Sequence, residues 1–126
     1  LIQDKVMNKE WNKLVEKHKP LLDEYKSAPV GKGWWILIDS ACSLMEDKEM
    51  KPEGFTQIKE KFGGLRFYFG VSNLKDKSWP KMDQFIGSIE YMSWFICEDC
   101  GSHDNVTTEG NWKKTLCKNC RKVREN

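Results

Sequence analysis

A chain of 126 residues, 39% of them hydrophobic, has room for one domain with a real apolar core plus a small appendage, and its length excludes two large domains. Its 21 lysines and arginines against 19 aspartates and glutamates leave a formal charge of +2, too weak a field for a dedicated nucleic-acid coat. There is no apolar run of about 18 residues and no basic segment leading into an apolar stretch and a small-residue cleavage site, so neither a membrane span nor a signal peptide is expected.

Met7, Trp11, Leu14, Val15 and His18 recur at helical spacing, and Leu21, Leu22 and Tyr25 nearly continue the stripe. The intervening Pro20 predicts a break or kink, since proline lacks an amide donor and clashes with the preceding turn. Residues 27–33 read as a loop. From Trp34 to Lys48 the signal is mixed: Trp34, Trp35, Ile36, Leu37 and Ile38 alone fit a buried strand, whereas the length and the spacing Ile38, Ala41, Cys42, Met45 favour a helix. On that helix Asp39 is expected to face solvent. Cys42 is expected in the core, where apolar surroundings raise a thiol pKa and dull its reactivity.

Phe55 to Gly70 carries the clearest β signal, two segments flanking Gly63 and Gly64, the second alternating Leu65, Phe67 and Phe69 with Arg66 and Tyr68. A polar loop containing Asn73 and Asp76 comes next. Trp79 and Pro80 then mark a helix start with proline at its first position, and Met82, Phe85, Ile86, Ile89, Met92 and Ser93 give its apolar face.

Cys97, Cys100, Cys117 and Cys120 form two Cys-x-x-Cys pairs separated by 16 residues. That spacing predicts a bound Zn²⁺, because each pair turns two thiolates inward from one tight knuckle and two facing knuckles supply a tetrahedron. A disulfide pair and a redox-active Cys-x-x-Cys are the competing readings, and nothing nearby suggests an oxidised, secreted scaffold. The fifth cysteine, Cys42, also fits a reducing cytoplasm better. Four sulfurs close the metal site, so the zinc is expected to be structural, with His103 an unneeded substitute ligand. Trp112 to Leu116 reads as a strand delivering Cys117. The segment from Cys117 to Val123 is then either a second ribbon knuckle or the first turn of a helix, and Lys118, Arg121 and Lys122 suit the helix. The expected fold is therefore α+β: helices packed on a small antiparallel hairpin over residues 1–93, with a zinc-ribbon or treble-clef-like module over residues 94–126 packed on that body.

Catalytic groupings are missing from this reading. His18 lies on an apolar stripe as a core-edge residue, no nucleotide-binding, zinc-protease or hydrolase motif is present, and no small-molecule substrate is suggested. Six tryptophans recur at junctions between elements, and Trp112 beside Lys113 and Lys114 is the best candidate for an exposed aromatic among cations. Lys113, Lys114, Lys118, Arg121, Lys122 and Arg124 make a basic run without an acid, although neutralising the zinc–thiolate charge is their plainer role. Lys59, Lys61, Arg66 and Tyr68 form a second mixed patch on the hairpin.

The segments Gly33-Trp34-Trp35, Glu60-Lys61-Phe62-Gly63-Gly64-Leu65-Arg66-Phe67-Tyr68 and Cys97-Glu98-Asp99-Cys100-Gly101, with Trp112, Thr115-Leu116-Cys117 and Cys120, resemble a group of small uncharacterised proteins encoded in bacterial and bacteriophage genomes. The resemblance implies a prokaryotic or phage setting and a zinc module, and it carries no catalytic residue. Together these readings lead to a non-enzymatic, cytoplasmic, zinc-containing protein that binds a protein partner as a regulator or inhibitor of a phage or mobile element. The alternative is a DNA- or RNA-binding protein using the basic zinc module. Partner-binding residues are expected among Trp112, Lys113, Lys114, Lys118, Arg121, Lys122, Arg66 and Tyr68.

Overall fold

A computed structural model describes residues 2–19, 21–47, 55–69 and 79–125, which form four α-helices and two two-stranded antiparallel sheets. The expected break at Pro20, the end of the second helix at Lys48, the loop with Asn73 and Asp76, and the side chains of Phe69, Trp79 and Pro80 lie outside the described residues. Among those described, no helix is long and apolar enough to cross a membrane.

Helix α1, Ile2–Lys17, ends where the His18 amide still donates to Leu14 at 3.1 Å and Val15 at 3.2 Å, and Leu21 and Leu22 then turn the chain into the core. Trp11 anchors this corner, 1% exposed, its ring 5.3 Å from that of Trp35 and its indole N–H donating to the Tyr25 carbonyl at 2.9 Å. A buried indole needs such a partner, because an unpaired N–H away from water is costly. Met7, on the predicted stripe, is instead exposed.

A 3₁₀ turn, Lys32–Trp34, leads into helix α2, Trp35–Asp47. Ile36 decides against the strand reading of this segment. It is 60% exposed between Trp34 and Ile38, both 0% exposed, whereas a strand would put all three on one face. The buried set Trp34, Trp35, Leu37, Ile38, Ala41, Cys42 and Met45 follows helical spacing.

Strands β1, Phe55–Lys61, and β2, Gly64–Phe69, pair with Ile58 opposite Phe67 and Glu60 opposite Leu65 on the face turned to the core. Gln57 opposite Tyr68 and Lys59 opposite Arg66 share the other face, as the alternation predicts. The turn itself is Phe62-Gly63, one residue earlier than expected. Gly64 already pairs with Lys61 in the ladder, and its bare Cα is needed because a Cβ there would lie 2.6 Å from the Trp94 ring. Both turn residues have positive φ, 54° at Phe62 and 91° at Gly63, as a two-residue type I′ connection demands. For Phe62 that conformation costs about 1–2 kcal/mol, which no packing offsets since its side chain is exposed. Phe62→Asn, creating the favoured Asn-Gly turn, is expected to stabilise the protein by about 1 kcal/mol, read as a higher urea midpoint.

Helix α3, Trp79–Met92, runs into a 3₁₀ turn, Ser93–Phe95. Met82, Ile86 and Ile89 face the core and Phe85 is half-buried, while Met92, predicted on the same face, is exposed. The end of α3 also covers the outer edge of β2: the Leu65 amide donates to Ser93 Oγ at 2.9 Å and the Phe67 amide to Glu90 Oε2 at 2.9 Å. Edge amides that would otherwise invite another strand are thus satisfied. Burial raises the Glu90 pKa, the Phe67 amide bond opposing it.

Among the described residues, buried apolar side chains fall into two clusters. The larger spans Trp11 to Ile89, and the smaller consists of Cys97, Leu116 and Cys117.

Candidate metal centre

The first cysteine pair lies in a tight knuckle after the 3₁₀ turn. The Gly101 amide folds back to the Cys97 carbonyl at 2.9 Å, the Cys97 amide reaches the Ser102 carbonyl at 2.8 Å, and the Ser102 amide donates to Cys100 Sγ at 3.4 Å. Strands β3, Val106–Glu109, and β4, Lys114–Cys117, then form a short hairpin that places Cys117 opposite Val106. Helix α4, Lys118–Glu125, begins at once, with Cys120 in its first turn and the Cys120 amide donating to Cys117 Sγ at 3.4 Å. Of the two readings left open by the sequence, the helical one matches. The order is knuckle, hairpin, helix.

All four sulfurs lie within 4.8 Å of one another and none forms a disulfide. Cys100 and Cys117 Sγ are 3.7 Å apart, against a tetrahedral edge of about 3.8 Å for sulfurs about 2.3 Å from a shared ion. The donor set therefore suits a metal ion in geometry and chemistry. The amide hydrogen bond from Cys120 lowers the Cys117 thiol pKa, whereas burial raises that of Cys120 itself. His103 is exposed and outside the group.

The knuckle is joined to the helical body through its own backbone. The Gly33 amide donates to the Glu98 carbonyl at 2.7 Å, and the Gly31 amide donates to Glu98 Oε2 at 3.1 Å. The Glu98 amide in turn reaches the Thr115 carbonyl at 3.0 Å, and Lys114 Nζ lies 3.8 Å from Glu98 Oε1. Glu98 is 6% exposed, yet by sequence it is only an acidic residue inside a knuckle. The Trp34 indole adds a bond to the Ile96 carbonyl at 2.8 Å. A third tie joins the hairpins: Thr115 Oγ1 donates to the Gly63 carbonyl at 2.6 Å, and Lys114 Nζ meets Glu60 Oε1 at 3.3 Å.

The predicted basic run divides. Arg121 reaches the carbonyls of Thr107 at 2.7 Å and Lys114 at 3.1 Å, bracing α4 on the hairpin. Arg124 grips Asp99 with two bonds of 2.7 and 2.6 Å, and Lys114 is held by Glu60 and Glu98. Lys113, Lys118 and Lys122 are exposed, and among the described residues no carboxylate pairs with them. The groove beside α4 takes Glu109 and Glu125 as well as Lys118 and Lys122. On the first hairpin, Tyr68 is exposed with Lys59 Nζ 5.4 Å from its ring centre, and Arg66 is half-buried. Trp112 is 80% exposed at the tip of the second hairpin, where Glu60, Lys61, Phe62, Asn111, Trp112 and Lys113 line a cleft of about 340 Å³.

A separate polar cluster corrects the expectation that Asp39 faces solvent. His18, 1% exposed, is held between Asp39, 2.5 Å from its Nε2, and Glu46, which meets its Nδ1. Burial alone would raise the Asp39 pKa, and the hydrogen bonds from His18 and Lys17 more than offset it, holding the carboxyl below its ordinary value. A carboxylate so depressed contributes stability above its unfolded pKa of about 3.9 and loses it as pH falls through the lower folded value. Asp39→Asn is expected to destabilise the protein by about 1–3 kcal/mol at neutral pH. The gap from wild type, followed by urea denaturation, should close below about pH 4. Cys42 sits on the same helix, buried, its thiol pKa pushed well up by burial.

No family model, curated protein or solved structure matches the chain.

Proposed function

We propose that this protein is a non-enzymatic binding protein in which a structural Zn²⁺, held by Cys97, Cys100, Cys117 and Cys120, fixes a recognition face formed by the two hairpins. The observation that carries this reading is the four-sulfur cluster, whose members lie within 4.8 Å of one another beneath the hairpin that presents Trp112. Soft thiolates select zinc over hard cations, and four of them leave no position for water or substrate. Two other reactive groups are engaged: His18 lies between two carboxylates, and burial suppresses the Cys42 thiol. The test is elemental analysis of purified protein together with binding before and after chelation. One zinc per chain, and binding that is lost and restored with it, supports the proposal; binding unchanged by complete metal removal contradicts it.

A protein partner is favoured by a second surface, where Tyr91, Met92 and Phe95 are 65%, 48% and 54% exposed and the Tyr91 and Phe95 rings meet edge to face at 5.3 Å. Exposed aromatics and methionine are enriched at protein interfaces. If that reading holds, Phe95→Glu abolishes partner co-purification while zinc content stays the same.

A further inference from the structure

The cleft between the hairpin tips supports a narrower statement, which rests on the binding-protein reading and names the ligand class. Phe62 holds φ at 54°, a conformation rarely adopted by bulky side chains, while 69% of its surface faces water. Neither turn geometry nor packing accounts for an aromatic ring there, and such outliers concentrate where a ligand is met. Trp112 lines the same cleft and is 80% exposed. Lys61 and Lys113 flank the two rings, with Lys61 Nζ 5.7 Å from the Phe62 ring centre. Among the described residues no carboxylate pairs with either lysine. Glu60, the acidic group in the lining, is committed to Lys114 at 3.3 Å and to the Gly63 amide at 2.6 Å. Lys59 and Tyr68 extend the same pairing of cation and ring along the outer face of β1 and β2.

The ligand that suits flat rings beside unpaired lysines has exposed π faces and regularly spaced negative charge. We infer that the cleft and the adjoining β1–β2 face bind single-stranded nucleic acid, bases stacking on Phe62 and Trp112 and phosphates lying against Lys61 and Lys113. A duplex keeps its bases stacked inside and offers these few lysines only its phosphates. A neutral or basic peptide could pack on the rings but would leave the two unpaired lysines unmet.

Fluorescence anisotropy of the zinc-loaded protein with fluorescein-labelled oligothymidylate at low salt tests this, beside a labelled duplex and a labelled Glu/Tyr copolymer. The expected result is binding of the single strand, at least about ten-fold tighter than the duplex and weakening with salt. Trp112→Ala is expected to reduce affinity about ten-fold, and Phe62→Asn to do likewise although it stabilises the fold, which separates recognition from structure. Failure of the single strand to bind overturns the inference, as does binding indifferent to both substitutions but abolished by Lys118→Glu and Lys122→Glu. Tighter binding of the copolymer, lost in Trp112→Ala, overturns the nucleic-acid assignment and leaves the binding-protein reading standing. No binding of strand, duplex or copolymer counts against both.

Discussion

Stripping the metal from the protein is expected to unfold residues 97–125 while the larger apolar core persists. The smaller buried cluster consists of Cys97, Leu116 and Cys117, and two of these three belong to the four-sulfur group that could hold a metal ion. Helix α4 has 8 residues, none of them buried, whereas isolated helices shorter than about 12–15 residues are marginal in water. Strands β3 and β4 have 4 residues each, and a lone two-stranded hairpin is no more stable. The ties of Glu98 and Thr115 to the body remain, but the largest contribution would come from a Zn²⁺ in the four-sulfur site, since apparent binding energies in small structural zinc sites are about 10–16 kcal/mol. Chelation, or Cys97→Ser, should therefore abolish amide-exchange protection in β4 and α4 and reduce the far-UV helical signal. Zinc should restore both in the chelated wild type. Protection around Trp11, Leu37 and Ile38 should survive, because that packing lies in the other cluster. An apo protein with undiminished protection at Leu116 contradicts the expectation.

The second large effect is expected at Gly33. A Cβ there would lie 2.0 Å from the Cys97 carbonyl oxygen, 2.5 Å from the Gly101 nitrogen and 2.7 Å from the Glu98 carbonyl oxygen. All three are backbone atoms of the knuckle, so no side chain can swing aside. Gly33→Ala must separate the body from the knuckle and break the 2.7 Å bond from the Gly33 amide to Glu98. Overpacking costs about 1–3 kcal/mol and a lost buried hydrogen bond adds about 1–3, so a total near 4 kcal/mol is expected, with weaker zinc retention. Gly87→Ala is the matched control. Its Cβ would meet nothing within 4 Å, and its place inside α3 predicts a gain of about 1 kcal/mol. Urea midpoints of the two variants should thus move in opposite directions; a Gly33→Ala protein as stable as wild type would rule out the close approach.

The features readable from sequence were those written in local spacing. Two Cys-x-x-Cys pairs announced a metal cluster, and the helical period of Ile38, Ala41, Cys42 and Met45 outweighed the strand-like run before it. Alternation through Leu65, Phe67 and Tyr68 gave the faces of the hairpin, though not the turn, because Phe62 takes a conformation that sequence rules assign to glycine or asparagine. What escaped depends on partners far apart in the chain. Glu98 is defined by Gly31 and Gly33, and His18 by Asp39 and Glu46, pairings with no periodic signature. The basic run shows the same limit from the other side. Six cations between residues 113 and 124 offered either a binding surface or neutralisation of the thiolates, yet Lys114, Arg121 and Arg124 are engaged in bracing the module. Exposed positive charge is left on Lys113, Lys118 and Lys122, with Lys113 beside the aromatic cleft.

X-ray absorption at the zinc edge of the purified protein tests the closed structural site most directly. Four sulfur scatterers at about 2.3 Å, and no nitrogen or oxygen in the first shell, is the predicted spectrum. A first shell containing water or histidine nitrogen, or cysteines found paired as disulfides with no metal bound, would contradict it.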